Sequence, residues 1–246
     1  MSISQRQEQI LELLREHRYL SVIRLSEIIY TSPSSIRRDL ARLEALCLIK
    51  RSHGGAGILN EEGKAPPLDN RMSRNVAEKR KIAKKAAALL RDGQTVMLDG
   101  SSTSGFMVPY IAAHSGMTVY TNNMHTAMSA ISHGIATHLI GGASVNYSAV
   151  LAGSESCRAV AGLCPDILFF SSQCLNADGV ISDASEEENY LRSLMVASSK
   201  TTVFLCDSGK FGSRALHKLA VLDEIDYAVF DTPWNALSVK SKNTLV

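Results

Sequence analysis

The sequence predicts an α/β chain in two parts: a winged helix-turn-helix, then a larger Rossmann-like, mostly parallel α/β domain. Three observations carry that expectation. Apolar residues recur at helical spacing along the first forty-odd positions. From Val96 to Phe230, short apolar runs alternate with helical stretches. The charge is split as well: residues 1–91 hold 18 Lys/Arg against 10 Asp/Glu, and residues 92–246 hold 8 against 14. A net charge of +2 therefore conceals a basic head and an acidic body, which points to a polyanionic partner for the head and a separate task for the rest.

At 246 residues there is chain enough for two cores. No apolar run reaches the ~18–20 residues that cross a bilayer, and Met1 to Glu8 lack the apolar centre of a signal peptide. A cytoplasmic location with no membrane partner is expected. Cys47, Cys157, Cys164, Cys174 and Cys206 form no Cys-x-x-Cys pair. Neither a zinc site nor a disulfide framework is indicated, and the thiols read as small buried apolar groups. No metal and no cofactor are expected.

In the head, Gln5 to His17 reads as a helix with Ile10, Leu13, Leu14 and His17 on one side. Ser21 can cap a second helix that buries Val22, Leu25, Ile28 and Ile29. Ser32-Pro33 is an N-cap followed by proline at the first helical position, which marks a third helix start. On that helix Ile36, Leu40, Leu43 and Cys47 share a narrow face. Arg38 points away from it near Ser34, with Arg37 and Arg42 on the flanks. Guanidinium groups grip guanine or phosphate, and short serines permit close approach, so this is the pattern of a recognition helix in a major groove. Leu48 to His53 and Ala56 to Leu59 read as two strands turning at Gly54-Gly55, a wing that sets Lys50, Arg51 and His53 against a nucleic-acid backbone. The expected DNA-binding set is Ser32, Ser34, Ser35, Arg37, Arg38, Arg42, Lys50, Arg51 and His53.

Domain boundaries follow from composition: a head over 1–59, a linker over 60–77 marked by Glu61-Glu62-Gly63 and Pro66-Pro67, and a body over 78–246. Glu78 to Arg91 reads as a helix whose Lys79, Arg80, Lys81, Lys84 and Lys85 form a solvated or interdomain face. Strands are expected at 96–98, 118–120, 138–140, 167–170, 202–205 and 227–230, with helices at 105–114, 124–133, 156–163 and 187–199. In parallel sheets ligands bind beyond the carboxyl ends of the strands, where strand order reverses. The informative turns fall at those ends. Asp99-Gly100-Ser101-Ser102-Thr103 opens a helix, offering hydroxyls, close backbone approach and a helix N-terminus to an anion. Thr121-Asn122, Gly141-Gly142 and the Lys210 turn supply further polar or glycine-rich edges, so a phosphate-bearing ligand is expected. No Walker-type Gly-rich lysine motif is present.

Ser32 to Leu40, Leu43-Glu44 and Arg51 to Ala56 together resemble the DNA-binding signature of the DeoR family of bacterial regulators. The resemblance continues through Glu78-Lys79, Ile82-Ala83, Asp99 to Thr103, Thr121-Asn122, Gly141-Gly142 and Asp207 to Gly212. It implies a regulator, most often a repressor, whose sensor resembles sugar-phosphate isomerases and deaminases and binds a phosphorylated sugar or related metabolite. On that match Ser101, Ser102 and Thr103 would hold phosphate, Asp99 and Asn122 would orient the ligand, and Lys210 would neutralise charge. Ser35, Cys47, Ser101, Ser102, Ser171, Cys174 and Gly209 depart from the family's usual residues. Ser171 and Cys174 stand where glycines are common and would fill part of a pocket. A single helix-turn-helix reads a short half-site, so a homo-oligomer on a double-stranded operator is expected. Two alternatives stay open: an isomerase- or deaminase-like enzyme using Asp99, Asp178, Asp183 or Asp207 as base, and a regulator that has lost its small-molecule effector.

Overall fold

The computed structural model describes residues 3–17, 19–46, 48–52, 54–58, 68–145, 148–239 and 241–245. It divides into two compact units, Met1–Pro66 and Pro67–Val246. The first holds helices α1 (Gln5–His17), α2 (Val22–Ile28) and α3 (Pro33–Ala45), with strands β1 (Tyr19–Ser21), β2 (Ile49–Ser52) and β3 (Gly55–Ile58). The wing is thus a three-stranded antiparallel sheet ordered β1-β3-β2. β1 is too short to show a period in sequence. Its approach explains Gly55, where an added Cβ would collide with the Leu20 carbonyl oxygen, while Gly54 turns the hairpin at φ +81°.

Ile10, Leu14, Leu25, Ile36, Leu40, Leu43 and Ile49 are fully buried in this unit. The α1 stripe is rotated from expectation: Leu11 is buried, Leu13 half-buried and His17 exposed. Polar residues account for the rotation. Gln7 is buried and donates to Asp39 Oδ1 at 3.0 Å, and Arg6 Nε donates to Asp39 Oδ2 at 2.6 Å, which locks α1 onto α3. On α2, Val22 and Leu25 are buried as expected, but Ile28 and Ile29 only half so.

The second unit opens with α4 (Leu68–Ser73) and α5 (Val76–Ala86). It therefore begins at Pro67, within the stretch expected as linker and ahead of the expected start at 78. Lys79, expected on a solvated or interdomain face, is buried. Strand β4 (Thr95–Leu98), helix α6 (Val108–Ile111), β5 (Thr118–Thr121), α7 (Met124–Ser132), β6 (Ala136–Leu139), β7 (Ala143–Ser144), β8 (Leu151–Ala152) and α8 (Ser154–Ala161) follow. Then come β9 (Ile167–Phe170), β10 (Cys174–Leu175), β11 (Val180–Asp183), α9 (Glu186–Ser198), β12 (Thr202–Cys206), β13 (His217–Val221), β14 (Tyr227–Phe230) and β15 (Asn243–Leu245).

The main sheet has seven strands in the order β15-β14-β12-β9-β4-β5-β6, every pairing parallel. Strand residues alternate between two cores, as the two-residue repeat requires. Val96, Leu98, Phe169, Val203 and Leu205 pack with Ile82 of α5, Ile111 of α6 and Ala130 of α7. Met97, Leu168, Phe170 and Phe204 pack with Val160 of α8 and Leu191 and Met195 of α9. A smaller antiparallel sheet, β10-β11-β13, and the β7-β8 pair complete the unit.

Two expectations change shape here. The helix expected over 105–114 is a 3-10 turn, Ser104–Met107, then the four residues of α6. No long helix opens at the Asp99 turn, so a helix dipole cannot be what that turn offers an anion. Of the thiols expected to be buried, Cys206 is, Cys157 and Cys174 are half-buried and Cys164 is exposed; Cys47 lies outside the described residues. Among the described residues no helix is long and apolar enough to cross a membrane.

Candidate functional site

On α3 the local chemistry works as its cap predicts. Ser32 accepts from the Ser35 backbone N–H at 3.3 Å, and Pro33 occupies the first turn. The Ser32 hydroxyl also meets those of Ser34 and Ser35, each at 3.0 Å, so the helix begins with a hydroxyl cluster beside its unpaired N–H groups. Arg37, Arg38 and Arg42 are exposed, while Ile36, Leu40 and Leu43 of the same helix are fully buried. Arg51 on β2 is exposed too, but it is tethered. Its N–H donates to Glu44 Oε1 at 3.0 Å and its guanidinium lies 3.7 Å from Glu44 Oε2, fastening wing to helix. Lys50 lies in β2, and His53 falls outside the described residues. Exposed guanidiniums spread along α3, Arg37 and Arg38 in its first half and Arg42 in its last turn, can take up phosphates and base edges together.

In the second unit strand order reverses between β4 and β9, and the polar turns converge there. Asp99 follows β4 and is 1% exposed. Its Oδ1 accepts from the Ser101 N–H at 3.2 Å and the Ser101 hydroxyl at 2.5 Å. Its Oδ2 accepts from the Ser171 N–H at 3.3 Å and Arg192 Nε at 2.8 Å. Arg192, buried on α9, also donates to Asp183 Oδ2 at 3.0 Å and lies 3.7 Å from Glu188 Oε2. One cation is thus set among three carboxyl groups. Burial works against the charged guanidinium, but Asp183, Asp99 and Glu188 outweigh it and raise its pKa. Burial also raises the Glu188 pKa, against the pull of Arg71 and Arg192.

Lys210 sits on a 3-10 turn after β12, its ammonium 2.7 Å from Ser171 Oγ, 3.3 Å from Thr103 Oγ1 and 3.3 Å from Asp207 Oδ2. Asp207 Oδ1 accepts from Asn75 Nδ2 at 2.7 Å. Burial acts to raise the Asp207 pKa, but Lys210 and the Asn75 amide prevail and hold it below the usual carboxylate range. The expected set is therefore brought together in part. Asp99, Ser101, Thr103 and Lys210 share one hydrogen-bonded cluster joined through Ser171. The Ser101 hydroxyl turns inward to Asp99, and Ser102 is buried beside it.

Thr121 Oγ1 accepts from the Asn123 N–H at 3.2 Å. Asn122 is 3% exposed, donates Nδ2 to the Leu151 carbonyl at 2.7 Å, and leaves Oδ1 without a partner among the described residues. Gly141 and Gly142 are engaged elsewhere: the Ser156 hydroxyl donates to the Gly141 carbonyl, and a Cβ on Gly142 would strike Ser156 and Ala152. Beside the cluster, Asp99, Gly100, Asn122, Glu188, Leu191, Arg192 and Met195 surround a space too narrow for a water molecule. Sequence reasoning missed Arg192 and Asn75. Neither carries a motif, and each has a partner far along the chain, Asp99 for Arg192 and Asp207 for Asn75.

A model of the DeoR-like helix-turn-helix domain matches residues 6–62, and one of the DeoR C terminal sensor domain matches residues 74–232. The HTH-type transcriptional regulator GolR of Listeria innocua is 32% identical over 94% of this chain and 91% of its own length. The glycerol-3-phosphate regulon repressor of Escherichia coli is 26% identical over 95% of this chain and 92% of its own. Among solved structures, the tetrameric eIF2B-beta2-delta2 complex from C. thermophilum contains a chain of similar fold, with a TM-score of 0.50, 11% identity, and coverage of 93% of this chain and 69% of that one. With its helix-turn-helix and its sensor domain both matched, and a relative above 30% identity along nearly its whole length, this chain belongs to the DeoR family of transcription regulators.

Proposed function

We propose that the chain is a cytoplasmic repressor of a carbohydrate-metabolism operon, released by a phosphorylated sugar or related metabolite. α3 reads the operator through Arg37, Arg38 and Arg42 with the Ser32–Ser34–Ser35 cluster at its start. The wing supports it through Lys50, Arg51 and His53. A homo-oligomer presents two such helices to two half-sites. The observation that carries the sensing half is Lys210 meeting Thr103 beside Asp99 where the strand order reverses. A phosphate there engages Lys210 and Thr103, with Ser102 and the Gly100 backbone close by.

Release requires that the effector bind the DNA-competent and DNA-incompetent states unequally. Asp207 supplies a route. It holds Lys210 on one side and Asn75 on the other, so a phosphate competing for Lys210 alters the grip on the turn between α4 and α5. That turn lies within the 60–77 segment. Catalysis is not part of this reading; of the carboxylates weighed as bases, Asp99 has both oxygens engaged by donors. In a gel shift on the chain's own promoter fragment, Arg37→Ala/Arg38→Ala is expected to abolish specific retention, and at least one sugar phosphate is expected to release the wild-type complex. Normal retention by the double variant sinks the DNA half. A complex indifferent to a broad panel of sugar phosphates sinks the sensing half and favours a regulator without a small-molecule effector.

A further inference from the structure

We propose that the face formed by α7 and the edge strand β6 is where a second copy of this chain docks, packed about a two-fold axis; this deepens the homo-oligomer reading above and rests on it. α7 turns Thr126, Ala127 and Ala130 inward. Its Met124, Met128 and Ile131 recur at spacings of four and three, so they form one stripe, and they are 40%, 67% and 57% exposed. Leu139 of β6 adds a fourth apolar side chain at 45%. It pairs with Thr121, shortly before Met124, and so lies at the same end of the sheet. Strand alternation also puts it on the α7 side. Leu139 shares its side with Thr137, the partner of Val119, and Val119 packs in one core with Ala130 of α7. Single apolar residues scattered over a surface need no explanation, but four gathered on adjoining elements mark a contact face.

Charge identifies the occupant. Residues 100–154, which include β5, α7 and β6, contain no Asp, Glu, Lys or Arg, in a chain that holds 26 basic and 24 acidic residues. The other long helices of this unit are different. α5 exposes Arg80, Lys81 and Lys84, α8 exposes Glu155 and Arg158, and α9 exposes Glu186 and Glu187. A two-fold axis sets a patch against its own copy, so a fixed charge near the axis meets its like, and a face without charge has nothing to repel. A charged partner finds no complement here. Exposed methionine together with absent Lys, Glu and Asp is also the composition of an interface core. β6 argues the same way. It ends the seven-stranded sheet and, among the described residues, pairs with β5 alone, so the N–H and C=O groups of its outer side have no strand to meet. Edge strands are commonly guarded by lysine, proline or a charge, and Ala136–Leu139 has none of these. A two-fold runs the strand antiparallel to its copy, whose open groups it can then face. The DNA-binding head calls for the same partner, since two half-sites need two copies.

The test is sedimentation of the full chain at micromolar concentration, without DNA or effector. Wild type is expected as a dimer or a multiple of one. Met128→Glu/Ile131→Glu sets carboxylates against their own copies at two exposed positions, and is expected to weaken association at least a hundredfold. Met128→Lys/Ile131→Lys is expected to do the same by itself. Mixing the two charge forms is expected to restore the wild-type mass. Tyr190→Glu, at an exposed position of α9 over the opposite side of the sheet, is expected to leave that mass unchanged. If the glutamate pair does not fold, as judged by far-UV circular dichroism, Leu139→Lys takes its place with the same expected loss of association. A folded patch variant that keeps the wild-type mass overturns the docking face and leaves the oligomer reading standing. So do opposite charge forms that fail to combine, or a Tyr190→Glu chain that dissociates as far as the patch variants. A wild-type monomer takes down the oligomer reading first, and the face with it.

Discussion

Lys210 faces three oxygens of its own chain, and Ser171 Oγ is the nearest at 2.7 Å. That hydroxyl is anchored in turn, since it donates to the Leu205 carbonyl. Any phosphate recruited by Lys210 must therefore compete with a preformed partner that a glycine would not supply. Ser171→Gly is expected to raise affinity for inorganic phosphate threefold or more and to lower stability by about 1 kcal/mol, the typical worth of a lost hydrogen bond. Titration followed by the fluorescence of Trp234, which stacks on Phe211 beside Lys210, and urea unfolding measure the two; unchanged phosphate affinity would show that Ser171 does not restrain the lysine. Arg192 poses the opposite problem. Arg192→Met leaves Asp99, Asp183 and Glu188 buried without their cation, a loss of about 3–5 kcal/mol for a broken buried pair. Burial already raises the Glu188 pKa against the pull of Arg71 and Arg192. Without Arg192 its folded state binds a proton more readily than the unfolded chain, so this variant is expected to regain stability as pH falls from 8 toward 5. Urea midpoints that fall over that range would contradict it. Lys210 was legible because it stands on a glycine-bearing turn after an apolar strand. Arg192 was not: it lies mid-helix with ordinary neighbours, and its partner Asp99 is 93 positions away.

At the scale of elements, local chemistry decided what could be read. The Ser32-Pro33 cap and the Gly54-Gly55 turn act within three or four residues, so α3 and the hairpin were plain. α4 was not, because prolines, glycine and acids surround it and Leu68 is the apolar residue it buries. Tertiary contacts hold it. The buried Lys79 ammonium donates to the Arg74 carbonyl at 2.7 Å and to that of Arg71, and Asn75 takes a left-handed φ of 51° to reach Asp207. Burial first, then Lys210, pushes the Lys79 pKa down to about 8, with Asp207 opposing and Arg71 and Arg74 adding to the fall. A phosphate on Lys210 offsets the repulsion and raises that pKa, so binding draws in a proton. Affinity for a sugar phosphate is therefore expected to fall as pH rises through about 8, a range where the phosphate itself is already fully ionised. Lys79→Met should flatten the profile; a wild-type affinity constant from pH 7 to 9 would break the link. Asn75→Ala is expected to retain effector binding while weakening release from the operator, measured by gel shift at saturating effector.

Over the whole molecule, the parallel sheet was legible strand by strand except β15, whose Asn-Thr-Leu lacks an apolar run. Its order was not, and neither was the β10-β11-β13 sheet, because pairings such as Ile181 with Ala220 join short segments far apart in sequence. The same topology places the site, since β4 and β9 become neighbours only when the chain reverses direction across the sheet. The two units have separate cores: Ile10, Leu25, Ile36 and Leu40 in the first, and the two faces of the sheet in the second. Separate cores predict separate melting. Operator DNA binds only the native first unit and a sugar phosphate only the native second, so each ligand should stabilise its own unit by RT ln(1 + [L]/Kd), about 2.7 kcal/mol at a hundredfold excess over Kd. Scanning calorimetry of the full chain is expected to resolve two transitions, with the sugar phosphate raising that of the larger unit and operator DNA that of the smaller. Because release requires the two ligands to oppose one another, adding both should raise each transition less than either ligand does alone. Shifts that simply add would mean that the sensor binds its ligand without influencing the DNA-binding head.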